Sequence, residues 1–325
     1  MADLALTLTC ADYARLAPLM LGDVRPEGVN LTLIHGTGGS WPARAEMLTR
    51  ALNDPAVHGG EASMAAHLRR IDQGDRHFVG LPVFPLRNFT ARDLYVREDG
   101  TVKTPADLVG KRIGMYDWLA SGAIWYRHFL DFIGVPWRQV EWWIGDVEGG
   151  WRTRHPGDLP RGVSAVPEGR YLVEMLLAGD LDAIYSPPRP SRYDPAAGPI
   201  VRLFPDYRPV ERDYFRRTGC FPPQHLIVLR REVWERDKWI AKSLVDAFIA
   251  ADRMFAASIR GFPYVSPWLE AELEESQALM GVDFHADGFE RNRHQIEVFC
   301  RQAYELGISG RLVTPEEYFA DFLAS

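Results

Sequence analysis

Arg87, Arg92 and Arg189 are residues whose type and setting suit the holding of an anion, and Ser63 stands where neutral donors can join them. A guanidinium presents a planar fork that pairs two-to-two with a carboxylate. Arg87 and Arg92 lie in the stretch 81–96. It reads as an apolar strand broken at Pro85 and resumed near Asp93, with Asn88 and Thr90 beside the cations. Proline has no amide donor and ends strands or marks edges. A strand that leaves one sheet and enters another, with cations at the crossing, suits a two-lobed protein holding an anion in its cleft. An ordinary strand–loop–strand with solvated arginines has the same pattern. Arg189 follows a predicted strand over 182–186, which delivers Ser186-Pro187-Pro188-Arg189-Pro190-Ser191. Three prolines stiffen that segment, and stiffness suits a cation that must be held in place.

Glu61-Ala62-Ser63-Met64 opens a predicted helix containing Ala65, Ala66, Leu68 and Ile71. Ser63 is its N-cap or a first-turn residue, and free amides at a helix start make an anion site, particularly at the carboxyl end of a strand. His67, one helical turn further on, shares that face and reads as a packed or surface residue. The glycine cluster from His35 to Ser40 lacks the lysine and spacing of a phosphate-cradling loop. It reads as a turn into a helix near Pro42.

The elements that must position these groups alternate between strand and helix. Residues 4–9 alternate apolar and polar at period two, 29–34 repeat the signal, and 56–60 suit a short strand. Strands are also predicted over 111–115, 140–144 and 226–229. Trp125, Phe129, Phe132 and Ile133 fall at i, i+4, i+7 and i+8 of one helix, so that aromatic stripe is a core face, and Gly134 stops it. Residues 145–169, rich in glycine, proline and charge, read as a long surface loop. Helices are expected over 238–258, 266–280 and 288–306, and Thr314-Pro315-Glu316-Glu317 is a capping-box start for the last one. Alternating strands and helices imply mixed, mostly parallel α/β sheets.

With 325 residues the chain is long enough for two domains or one large α/β unit. Its 46% hydrophobic and 25% charged residues are ordinary for a globular protein, and a net charge of −7 disfavours nucleic-acid or anionic-membrane partners. Cys10, Cys220 and Cys300 form no CxxC pair and no disulfide framework, which fits a reducing compartment. No apolar run reaches the roughly 20 residues of a membrane span, and the start MADLALTLTC lacks a basic n-region, so a cytoplasmic protein is expected. HExxH, HxH and CxxC spacings are missing as well, so no metal is expected.

Several segments together resemble the 4,5-dihydroxyphthalate decarboxylase family. They are Glu61-Ala62-Ser63; Pro82-Val83-Phe84-Pro85 with Arg87 and Phe89; Ser186-Pro187 with Pro188-Arg189-Pro190; and Leu203-Phe204-Pro205-Asp206-Tyr207. The series continues through Arg217-Thr218-Gly219 with Phe221-Pro222 and His225, then Pro267-Trp268-Leu269, Ala278-Leu279-Met280-Gly281 and Glu290-Arg291-Asn292-Arg293. The ordered set spans nearly the full length. The resemblance implies the α/β, two-lobed fold of type II periplasmic binding proteins, with the site in the interlobe cleft. Residues 1–88 and 205–325 would form a discontinuous lobe one, and 89–204 an inserted lobe two. It also implies loss of CO2 from an aromatic dicarboxylate bearing ring hydroxyls, with no bound organic cofactor. The chain departs from the family pattern at Thr90-Ala91-Arg92, where the family has Arg-His-Ser, and at Pro223-Gln224, which replaces more apolar residues. Both segments are expected to line the cleft, so the departures bear on the substrate.

Aryl decarboxylation requires a carboxylate held out of conjugation, a desolvated leaving group and a proton for the ring carbon. On this reading Arg87 and Arg189 clamp the carboxylate, Arg92, Ser186 and Ser63 assist, and His225 is the acid/base, because histidine titrates near neutrality. A structural histidine capping a strand fits His225 equally. The expected partner is a small aromatic carboxylate, and a homo-oligomer is left open. The rival reading is a non-catalytic binding protein of the same fold that captures a small anion, since a fold alone does not set function.

Overall fold

The computed structural model describes residues 3–149, 159–259 and 266–325. They contain the strands β1 (Leu4–Thr9), β2 (Val29–Ile34), β3 (Gly59–Ser63), β4 (Phe78–Leu81), β5 (Leu94–Arg97) and β6 (Arg112–Met115). These are followed by β7 (Glu141–Ile144), β8 (Val163–Ala165), β9 (Ala183–Tyr185), β10 (Ile200–Arg202) and β11 (His225–Arg230). The chain divides into two compact units, 1–88 with 219–325, and 89–218.

The first unit carries a five-stranded sheet in the order β2-β1-β3-β11-β4. β1 runs parallel to β2 and β3, and the returning β11 lies antiparallel between β3 and β4. The alternation in β1 turns Leu6 and Leu8 into the core, where the helix Ile240–Ile259 lays down Ile240, Leu244 and Phe248. All five side chains are buried, so each contributes about 1.5–3 kcal/mol of apolar burial.

β3 occupies Gly59–Ser63 rather than the expected 56–60, and Glu61 is strand interior instead of a helix start. The glycine pair is the reason. A Cβ on Gly60 would stand 2.3 Å from the Thr9 carbonyl oxygen, and one on Gly59 2.1 Å from that of Val228. Both positions let neighbouring backbone approach a strand that an ordinary side chain would block.

The second unit holds a six-stranded sheet, β10-β5-β9-β6-β7-β8. Its β9-β6-β7-β8 half is parallel, and β5 is antiparallel to both β9 and β10. The helix Ser121–Phe132 buries Trp125 and Phe129 as its spacing predicts, and Gly134 follows it at φ +81°. Leu172 and Leu176 pack with Tyr95, Ile184 and Ile200 in a core of their own.

The unit boundary after Thr218 lies later than the expected 204/205. The helix Arg208–Thr218 explains this: its buried Tyr214 meets the rings of Phe89, Phe129 and Phe132 at centroid distances of 5.2–6.2 Å. Aromatic contact therefore ties that helix to the second unit. The long loop expected over 145–169 contains the edge strand β8, and its residues 150–158 lie outside the described residues.

Candidate active site

Three side chains from separate segments of the first unit converge on the carboxylate of Glu61. Glu61 projects from β3, which β11 flanks with His225 opposite Ser63 and Ile227 opposite Glu61. His225 and Glu61 are thus diagonal neighbours on one face of an antiparallel pair, within reach of long side chains. Beyond β1 the chain is held by Cys10 N–H donating to Ile34 O at 3.0 Å, and this segment brings Tyr13 inward. The helix Trp41–Asn53 presents Arg44. Its start is capped by Ser40, whose hydroxyl accepts from Ala43 N–H at 3.4 Å.

Glu61 Oε1 accepts from Tyr13 O–H at 2.6 Å, from Arg44 Nη2 at 3.3 Å and from His225 Nδ1. Its Oε2 accepts from Ala11 N–H at 2.9 Å, with Cys10 Sγ at 3.8 Å. Arg44 Nη2 also bonds Tyr13 Oη and stands over the Tyr13 and Trp41 rings. The Glu61 side chain is only 1% exposed and that of His225 13%.

Burial alone would push the Glu61 carboxyl up, but the His225 contact, the Arg44 charge and Tyr13 outweigh it and hold the group down at about 2. Even beside a neutral imidazole, the Ala11 amide, Tyr13 hydroxyl and Arg44 guanidinium remain, so Glu61 is an anion. Burial pushes the His225 imidazole down; Glu61 pulls it up and Arg44 pushes it down again, and the net direction is down. At neutral pH the imidazole is therefore uncharged. Its Nδ1 faces an oxygen that can only accept, so the hydrogen is assigned to Nδ1 and the lone pair to Nε2. Such an imidazole can take a proton at Nε2 and return it.

Among the residues singled out by sequence, the structure brings Ser63 and His225 side by side across the β3–β11 ladder. Ser63 caps the helix Met64–Asp72, but the helix start is not the open anion site expected of it. Ala66 N–H donates to Ser63 Oγ at 3.4 Å and Met64 N–H to Gln224 O at 3.0 Å. His67 is buried against Tyr318 and pushed down to about 4 by burial.

Arg87 does not take the clamping position. Its guanidinium is buried and donates to Asn292 Oδ1 at 2.6 Å, Phe221 O at 3.2 Å, Ala286 O at 3.3 Å and Gln295 Oε1 at 3.5 Å. Four protein oxygens occupy the fork a substrate carboxylate would need. Burial pushes Arg87 down to about 10. With Tyr13, Arg15, Phe284 and His285 it lines a cavity of about 410 Å3 that His225 does not border.

In the second unit, Arg92 and Ser186 meet through Asp93. Arg92 Nε donates to Asp93 Oδ1 at 3.1 Å, and Ser186 N–H donates to Asp93 O at 2.9 Å. Ser186 departs from its expected role: it is fully buried and its hydroxyl donates to Pro188 O, which braces the proline segment. Arg189 is exposed, its guanidinium carbon 5.9 Å from the centre of the Tyr193 ring. Burial raises Asp93 to about 6 and the nearby Glu211 to about 7. Among the described residues no three His, Cys, Asp or Glu side chains cluster as metal ligands. None of the described helices is long and apolar enough to cross a membrane.

Sequence reasoning missed Glu61 as a site residue, along with Tyr13 and Arg44. Gly-Gly-Glu-Ala-Ser shows no apolar alternation, and the partners of Glu61 are distant in sequence. A lone acid beside two glycines, flanked by small residues, was the available signal.

Two sheets with helices, in two units between which the chain crosses twice, define a type II periplasmic-binding-protein-like fold. A periplasmic sulfonate-binding protein of Methylobacillus flagellatus KT shares it at a TM-score of 0.54 and 13% identity, covering 100% of this chain and 95% of that one. So does the ligand-binding component of an ABC-type import system from Staphylococcus aureus, at a TM-score of 0.51 and 10% identity over 99% and 98% of the two chains. No protein-family model matches the sequence. Among curated proteins, the 4,5-dihydroxyphthalate decarboxylase of Comamonas testosteroni is 30% identical over 328 residues, 98% of this chain and 97% of its own length. The Pseudomonas putida protein of the same name is 28% identical over 222 residues, 66% and 83% of the two chains. The chain belongs to the 4,5-dihydroxyphthalate decarboxylase family.

Proposed function

We propose that this protein is a carboxy-lyase that removes CO2 from a hydroxylated aromatic dicarboxylate, 4,5-dihydroxyphthalate or a close relative, with His225 as the proton-transferring group. The observation that carries the reading is the Glu61-anchored imidazole of His225 in a chain that matches a 4,5-dihydroxyphthalate decarboxylase over 98% of its length. In 4,5-dihydroxyphthalate each carboxylate has a hydroxyl para to it. His225 Nε2 takes the proton of that hydroxyl, and electron density moves through the ring to the carbon bearing the carboxylate. The imidazolium returns the proton to that carbon. The bond to the carboxylate then breaks, CO2 leaves, and its bonding pair restores the aromatic ring; the resulting phenolate takes one proton from water. Glu61 keeps its charge throughout and holds the ring in the productive tautomer, the role of an orienting carboxylate.

A cytoplasmic site of action belongs to the same proposal, supported by a sequence whose three cysteines form no CxxC pair and no disulfide framework. Incubating the purified chain with 4,5-dihydroxyphthalate and following CO2 tests the activity. Catalytic release of one CO2 per substrate is expected. Tight binding without release would instead support the anion-binding reading, and cell fractionation tests the compartment.

A further inference from the structure

We propose that Tyr13 and Arg44, by sharing the Glu61 carboxylate with His225, act as positioning residues that limit how strongly Glu61 holds a second proton on the imidazole. The inference rests on the reading of His225 as the proton-transferring group, which it deepens. Its basis is the crowding of Glu61. One buried carboxylate accepts from Tyr13, Arg44, His225 and Ala11, with Cys10 at 3.8 Å. A dyad in which a carboxylate faced only the imidazole would favour the imidazolium strongly, because an opposite charge at contact stabilises the charged form. Here Arg44 shares the same Oε1 and neutralises much of that attraction, while its own positive charge opposes a second cation nearby. Tyr13 adds a neutral donor that draws further on the same lone pairs.

The groups bearing on His225 come from three elements. Glu61 from β3 and Arg44 from the helix Trp41–Asn53 are the charges that act on it. Tyr13 and Cys10, from the segment after β1, are the other titratable groups on Glu61, and burial keeps both protonated. Burial disfavours the imidazolium first and Arg44 opposes it further, so of the two cations that could share this carboxylate the imidazole is the one that gives up its proton.

Imidazole nitrogen NMR of the full chain, with His225 assigned by His225→Gln, tests this without reference to turnover. Arg44→Met is expected to raise the titration midpoint of His225 by about one pH unit, a tenfold gain in proton affinity. Tyr13→Phe should raise it less. Arg44→Lys keeps the charge and should leave the midpoint near wild type, while Glu61→Gln should lower it. An unchanged midpoint in folded Arg44→Met would overturn the proposal, as would Arg44→Lys shifting as far as Arg44→Met. Tyr13→Phe, which deletes one oxygen and keeps the ring, reads the same coupling if Arg44→Met does not fold, and an unshifted midpoint there is equally adverse. The acid limb of kcat/KM should follow the NMR midpoint in every variant. Midpoints that move while the limb stays fixed would uphold the coupling and count against His225 as the catalytic base.

Discussion

His225 Nδ1 is hydrogen-bonded to Glu61 Oε1 across 164 residues of sequence. The contact exists because the chain returns from the second unit as β11 and lies antiparallel against β3. That pairing turns the histidine that opens β11 into an oriented imidazole, and it makes Glu61 the hub of a site.

Glu61→Gln should lower kcat by about 10²–10⁴-fold, since the anion that fixes the tautomer is lost. Stability should fall by about 3–5 kcal/mol, because Arg44 is left mostly buried without its carboxylate. Steady-state kinetics and a thermal melt measure both. Wild-type turnover in the variant would remove Glu61 from the account.

Arg87→Met should destabilise the protein by about 2–4 kcal/mol, the cost of one buried and three half-buried acceptors losing a guanidinium. KM should change less than threefold. The opposite pattern, a KM raised tenfold or more at unchanged Tm, would restore Arg87 as a substrate clamp.

Asp93 gives a pH dependence of defined sign. Its folded-state pKa is about 6 against an ordinary 3.8, raised by burial, so the folded state binds the proton more tightly. Its contribution to stability is therefore fully present below pH 3.8 and is lost as pH rises through 6. Asp93→Asn should gain on wild type across that window by on the order of 3 kcal/mol. Denaturant melts at pH 4 and pH 7 check this, and a constant difference between the two proteins would contradict it.

His67 should be dispensable for chemistry. It is buried on Tyr318, neutral through burial, and its Nε2 lies 2.6 Å from where a Cβ on Gly80 would stand. His67→Phe should retain kcat within about threefold, as expected for a packing position. A hundredfold loss in a folded variant would make it part of the proton path.

The fold was largely legible because its signals are local. The alternation of β1, the aromatic stripe from Trp125 to Phe132 and the cap at Thr314, whose hydroxyl accepts from Glu317 N–H at 3.2 Å, each sit within a few residues. The unit boundary was harder to read, because Tyr214 is assigned by rings it meets at a distance. In the site, His225 and Ser63 carried a type-based signal. Tyr13, Arg44 and Glu61 matter through convergence, and no spacing encodes it. Arg87 shows the converse: a cation at a chain crossing looks like a clamp until its oxygen partners, contributed from 221 to 295, are in place.

CO2 release from saturating 4,5-dihydroxyphthalate, compared between wild type and folded His225→Gln that still binds the substrate, tests the central claim most directly. Sustained turnover by wild type and a loss of about 10²–10⁴-fold in the variant are predicted. Equal rates in the two proteins, or no release by wild type despite binding, would contradict the account.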